Sequence, residues 1–468
     1  MVATNGSVTI STVDTVGADD DLTINTGVTV QSTTASVELN VGDDFTLTAG
    51  GTIQAASTIA INVDPSAGDL DLAGSTVDLL GNVIAAQTTI SGGDDSDTFN
   101  ILPTQDSPIT VNGGDPTLPV VPGDVLNLDF SGLASPPVLT LGVDAGSGAF
   151  SFLAPDLEQP VNYSSIENVN TSVGGYHLVL NMFTSGFQDS SDDTIDATVD
   201  ATDTDLLLDI NGGNFFTGAV ADILSFTTIG STDNETLNIN ENGNGVLPFF
   251  QGAAPATIPG SNGSHLNTSA QTFLDAEFAG AAPFTVDDIT IHYDGGLGTD
   301  TLNVNFTSDH NTGYFSDTDD GLGSGNIGAA TTAGADIDLG LSFARLEGVG
   351  INGTATGGLR VDASSTPLTD NITISDDGTP ADGISLIDGN MQFTDLLFSG
   401  FDDLQVVSGT GAETLDLVGL DSDTTLTDVE LNADDVDGTD TGNDTIRVQS
   451  TPTGTVTNVT VRGGWGMI

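Results

Sequence analysis

From Val8 to Ile90 the chain alternates apolar and polar residues in short runs: Val8/Ile10, Leu22/Ile24, Val28/Val30, Val37/Leu39/Val41, Phe45/Leu47, Ile59/Ile61/Val63, Leu70/Leu72 and Val77/Leu79. Side chains on a strand point to opposite faces with a period of two, so each run carries one apolar face and one wet face. The runs restart every 6 to 15 residues, punctuated by Gly42, Gly50-Gly51, Gly68 and Gly74. A strand this short cannot bury its apolar face alone, but three per coil, each coil resting on the next, form a continuous core. The pattern predicts an all-β chain, mainly a parallel β-helix (β-solenoid) with loop and hairpin insertions.

The same reading divides the chain. Regular coils are expected over 1–91 and longer coils over 92–242. An insertion or flank decoration is expected over 243–294, with SAQTFLDAEFAG (Ser269–Gly280) as its helix-like stretch. A further β-helix with acidic, Gly-rich turns then runs over 295–468, its last repeat incomplete. Asn311 to Gly334, dense in Gly, Asp and Thr, reads as a long loop. The stretch Asp444–Gly464 parallels Asp97–Gly114, each with an acid-Thr start, an alternating strand, a Thr/Pro loop and a strand closed by Gly-Gly.

Charge narrows the partners. Four arginines and no lysine stand against 67 acids, a formal net charge of -63. Nucleic acid and anionic membrane surfaces both demand clustered cations and are excluded as partners. No apolar run reaches the length of a membrane span, so no membrane insertion is expected. Nine of the acids are Glu and the rest Asp, the residue of turns and oxygen-ligand loops. Self-repulsion on this scale is offset either by divalent cations bound in the turns or by a salty medium that screens the surface. Cysteine is absent, so disulfides and thiolate metal sites contribute nothing.

One stretch is specific. GGLGTDTLN (Gly295–Asn303) fits the glycine-rich calcium nonapeptide G-G-x-G-x-D-x-U-x at every fixed position. Glycines let the backbone turn tightly and aim carbonyl oxygens inward, and Asp300 offers a carboxylate. Looser copies keep an acid, then Thr, then an apolar residue, at Asp97, Glu235, Glu413 and Asp444. A second signature, an apolar residue followed by an acid, a spacer and another apolar residue, occurs in SIENVN (Ser165–Asn170), RLEGVGI (Arg345–Ile351) and FDDLQVV (Phe401–Val407).

Catalysis is not expected. Lyases of this shape need a lysine or arginine base, and hydrolases pair several Asp with His and a basic residue. Lysine is absent, and His177, His265, His292 and His310 stand singly, without zinc spacing. With Asp so common, an Asp pair alone carries no information.

The unit of IENV-like strand, Gly-rich turn and D-T-L strand resembles the hemolysin-type (RTX) calcium-binding repeats of secreted bacterial proteins. The first ninety residues look more like the filamentous-haemagglutinin type of β-helix in bacterial surface proteins. The resemblance implies an extracellular or cell-surface location, calcium-dependent folding and a structural or adhesive role. By motif position Gly296, Gly298 and Asp300 would provide calcium ligands, with Asp97, Glu235, Glu413 and Asp444 as the looser counterparts. True repeats follow one another every nine residues, whereas these stand tens of residues apart. Expected partners are a cell-surface ligand or a second copy joined end to end. A surface-layer or filament subunit and a polysaccharide-active enzyme are the alternative readings.

Overall fold

The structure, a computed structural model, describes residues 1–12, 20–64, 74–115, 123–172, 174–184, 186–250, 288–316, 323–331, 337–363, 371–390, 393–409, 412–433, 444–450 and 455–463. They form two compact units, Met1–Leu180 with Asn214–Ile223 and Asn181–Gly213 with Leu224–Ile468. Among the described residues there are strands and one short 3-10 turn, Val220–Asp222, but no α-helix.

In the first unit the chain visits three sheets in cyclic order. One contains Val2–Ala3, Thr29–Ser32, Thr52–Ala55 and Asn82–Ile84. Val8–Ser11, Val37–Val41, Thr58–Val63, Gln87–Ser91, Ile109–Asn112 and Val161–Ser164 belong to the second. The third is made of Leu22–Ile24, Phe45–Leu47, Thr76–Leu79, Thr98–Ile101, Val125–Leu128 and Asn168–Thr171. These neighbours are parallel, and their register holds the apolar slots over one another. Phe45, Val77, Phe99, Leu126 and Val169 stack on successive strands, all buried. Each such side chain contributes roughly 1.5–3 kcal/mol of burial, an upper figure because a real unfolded chain is already partly compact.

The second unit stacks in the same way. Ile195, Leu237, Leu302, Val349 and Leu396 lie in register on five parallel strands, with Ala197, Ile239, Val304, Ile351 and Phe398 two residues on. All ten are buried. The outward slot between the two apolar rows is tied by side-chain amides. Asn238 Nδ2 donates to Asp196 Oδ1 and Asn303 Nδ2 to Asn238 Oδ1, both at 2.8 Å. The first unit repeats this device, with Asn100 donating to Asp78 (2.7 Å), Asn127 to Asn100 (2.8 Å) and Asn170 to Asn127 (3.0 Å).

Each unit also contains the same module. In the first, Ile109–Asn112 pairs parallel with Val161–Ser164 and Val125–Leu128 with Asn168–Thr171. Between them Val138–Leu141 and Gly148–Ser151 form an antiparallel hairpin, and Gly148–Ser151 runs antiparallel to Val161–Ser164. In the second, Ile291–Asp294 pairs with Ile337–Ala344 and Thr301–Asn305 with the start of Gly348–Asp362. The intervening hairpin is His310–Ser316 with Gly325–Thr331, and Gly325–Thr331 runs antiparallel to Ile337–Ala344.

Two expectations change. The long loop expected over Asn311–Gly334 is in its described part that second hairpin, whose Thr312 and Tyr314 are buried; the small residues and Gly fit a tightly paired interior strand as well as a loop. The flank decoration expected over 243–294 contains Ile291–Asp294, a fully buried strand of the stacked sheet. The helix-like Ser269–Gly280 and the Leu70/Leu72 run lie outside the described residues.

Candidate functional site

The strands with the acid-Thr start place the acid in one slot, at or immediately before the first strand residue, and the slots are stacked. In the first unit the order is Ser75, Asp97, Asp124, Glu167; in the second it is Asp193, Glu235, Asp300, Glu347. A parallel sheet leaves the N–H at the start of each strand without a ladder partner, and the carboxylate of the next rung takes it. The Ser75 N–H donates to Asp97 Oδ1 (2.7 Å), the Asp97 N–H to Asp124 Oδ1 (2.7 Å) and the Asp124 N–H to Glu167 Oε2 (2.6 Å). In the second unit the Glu235 N–H donates to Asp300 Oδ1 (2.8 Å) and the Asp300 N–H to Glu347 Oε2 (2.7 Å).

The turns before Asp97 and Glu235 also close on these acids. The Gly93 N–H donates to Asp97 Oδ2 (2.8 Å), and the Ser231 N–H to Glu235 Oε2 (2.9 Å), joined there by the Ser231 hydroxyl on Oε1. Space decides which residues the turn accepts. A Cβ on Gly92 would lie 2.1 Å from Asp97 Oδ2, and one on Gly295 would lie 2.6 Å from the Arg345 carbonyl oxygen and 2.9 Å from Asp300 Oδ2. Gly296 and Gly298 have φ of 87° and 152°, and carbonyl oxygens of Ser231 and Asp233 in the neighbouring turn crowd against them. Arg345 lies at the rim, its Nε donating to Asp294 Oδ1 (2.5 Å).

Asp97, Asp124, Glu235, Asp300 and Glu413 have almost no accessible surface. Burial pushes the Asp124 carboxyl up to about 7, opposed by the Asp97 N–H and reinforced by the charges of Asp97, Glu167 and Asp115. Burial likewise pushes Asp300 up to about 7, with Glu235 and Glu347 adding to it and the Glu235 N–H opposing. Oδ2 of Asp124 and Oδ2 of Asp300 are buried without a hydrogen-bond partner.

The structure therefore brings Glu235 and Asp300 together, with Gly296 and Gly298 in the adjoining turn. Asp97 is placed in a separate ladder in the other unit. Glu413 and Asp444 form a third, shorter one, in which the Glu413 N–H donates to Asp444 Oδ1 (3.3 Å). Among the described residues no group of three or more His, Cys, Asp or Glu is arranged to hold a metal ion.

Asp124 and Asp193 occupy the acid slot but were not among the expected ligands. Their signal is acid, any residue, apolar, Asn or Asp, apolar, in Asp124-Val-Leu-Asn-Leu and Asp193-Thr-Ile-Asp-Ala. Requiring Thr after the acid excluded the first, yet the outward Asn is the more regular mark because it builds the amide ladder. The second signature also resolves: Glu167 and Glu347 are the last members of the two long ladders. No family model, curated protein or solved structure matches this chain.

Proposed function

We propose that the chain is a β-solenoid of a secreted or cell-surface protein, stabilised by calcium and structural or adhesive in role. The observation that supports this most is the vertical repetition of chemistry. One slot holds acids, another apolar groups and another amides, rung after rung within each unit. Its acidity suits an extracellular setting where divalent cations are abundant.

Oxygen is the sole donor type around the Gly295–Asp300 turn, which is what a hard cation takes. Calcium would be held there by the Asp300 and Glu235 carboxylates with carbonyl oxygens of the Gly-rich turns, and it would supply the positive charge that the unpartnered Asp300 Oδ2 lacks. The ladder offers a pair of carboxylates at each step, so the carbonyls carry a large share of the coordination.

Negative-stain imaging with and without calcium tests the architecture: isolated rods support it, ordered fibres favour a subunit assembling end to end, and compact globules favour a polysaccharide-active enzyme. For the cation, melting temperature should rise with calcium far more than with sodium at matched ionic strength, and Asp300→Ala should remove most of the gain. An equal response to sodium would replace bound calcium with simple screening.

A further inference from the structure

His310 opens the second unit's hairpin and is enclosed, with 2% of its surface exposed. Its ring stacks on Phe306, with centroids 4.5 Å apart and planes 21° apart. Nδ1 lies 3.1 Å from the Ser308 carbonyl oxygen, an acceptor, so that nitrogen carries a proton. Nε2 is buried with no hydrogen-bond partner and faces two carboxylates, Asp338 Oδ2 at 3.7 Å and Glu241 Oε1 at 4.0 Å. A neutral imidazole in this tautomer would turn a lone pair toward two anions. An imidazolium would turn an N–H toward both.

The three residues come from different rungs. Glu241 follows the strand Glu235–Asn240, His310 begins the hairpin, and Asp338 lies on Ile337–Ala344. Glu241 is itself fixed, accepting from the Thr307 and Ser308 backbone and hydroxyls. Asp338 accepts from the Thr331 N–H (2.6 Å), and Thr331 pairs with His310 across the hairpin. Asp309, the preceding residue in the chain, is a further charged neighbour.

We propose that His310 is a proton-operated clamp: as an imidazolium it bridges Glu241 and Asp338 and pins the root of the His310–Thr331 hairpin to the stacked sheet, and loss of that proton releases the root. Burial pushes the Glu241 carboxyl up, but hydrogen bonds from Ser308 and Thr307, together with His310, outweigh it and hold the group below the ordinary carboxylate range, so it is available as an anion. The clamp's contribution is present while the ring carries both protons and is lost as rising pH removes one.

The test compares melting temperature from pH 5 to pH 9, in chelator, for the intact chain, His310→Gln and Asp338→Asn. Gln keeps an amide donor but does not titrate. The intact chain should lose roughly 2–4 °C more than His310→Gln between pH 5 and pH 9. Asp338→Asn should lose part of that slope, and protection from hydrogen exchange at the hairpin root, taken relative to the intrinsic rate at each pH, should fall with rising pH in the intact chain but not in His310→Gln. Should His310→Gln fail to fold, Asp338→Asn and the exchange profile of the intact chain carry the test. The proposal is overturned if the variants keep the full slope, if protection at the root relative to the intrinsic exchange rate is independent of pH, or if added zinc stabilises the intact chain but not His310→Gln, which would make the three residues a metal site instead.

Discussion

The modules at 109–181 and 291–362 arrive at one arrangement from different sequences. In the second, Gly295 and Gly296 stand five and four residues before Asp300, inside a full nonapeptide; in the first, Gly113 and Gly114 stand eleven and ten residues before Asp124, and no nonapeptide is present. Yet both acids are buried, both donate their N–H to a Glu of the next rung, and both receive that Glu's N–H on their own carbonyl, at 3.1 Å from Glu167 and 3.0 Å from Glu347. Two residues before each Glu stands one of the few non-glycine residues with positive φ, Ser165 at 52° and Arg345 at 58°. The Ile166 N–H meets the Gly146 carbonyl and the Leu346 N–H the Gly323 carbonyl, at 3.0 and 3.1 Å. What the modules share is the Glu clasp and the glycine beside it; the nonapeptide is one way of delivering the acid.

The comparison breaks most sharply at the first glycine. A Cβ on Gly113 would lie 1.9 Å from the Ser165 carbonyl oxygen, whereas on Gly295 the closest atom is the Arg345 carbonyl oxygen at 2.6 Å. Gly113→Ala should therefore cost about 3 kcal/mol and Gly295→Ala about 1–2 kcal/mol, read from denaturant midpoints. A larger loss at Gly295 would mean that the two turns differ in more than spacing.

Removing the clasp should come next, and should act alike in both modules. Glu167→Ala and Glu347→Ala each leave a buried N–H without its charged acceptor, a loss of roughly 1–3 kcal/mol. Unfolding that is sensitive to one substitution and indifferent to the other would end the equivalence.

The smallest effect separates the modules by their ions. Asp124 and Asp300 both sit raised to about 7 in the fold, against about 4 in an unfolded chain. The stability each gives is therefore fully present below about pH 4 and is lost as pH climbs through about 7, a change on the order of 1 kcal/mol. In chelator, Asp124→Asn and Asp300→Asn should each flatten the melting profile over that window. In calcium, a flatter profile is expected only for the module that holds the ion, and the nonapeptide points to Asp300.

The strands were legible in the sequence because period-two alternation with Thr and Asn between the apolar residues admits few other solutions. Acid slots at Asp97, Glu235, Asp300, Glu413 and Asp444 were legible as well, since an acid before Thr and an apolar residue marks a strand start. Their hydrogen-bond partners were not. Sequence proximity draws attention to the turn before each acid, while the atom that takes the acid's N–H belongs to a residue 27 to 65 positions later, as in Asp97 to Asp124 and Glu235 to Asp300. The hairpin at His310–Thr331 was hidden for a different reason: Gly325 packs against the Phe343 ring there, and glycine that makes room for a ring is indistinguishable, in sequence, from glycine that makes a turn.

The two Glu residues give the ladders an end. Ser75, Asp97 and Asp124 in one ladder and Glu235 and Asp300 in the other each offer an N–H to a carboxylate from the rung after them, so a ladder stopped at one of these members presents an open donor at its growing edge. Glu167 and Glu347 return their own N–H to the carbonyl beneath and ask nothing of a further rung. Each long ladder is thus a sentence with a full stop, and assembly in the order of synthesis would pass through an open edge and then a closed one, twice.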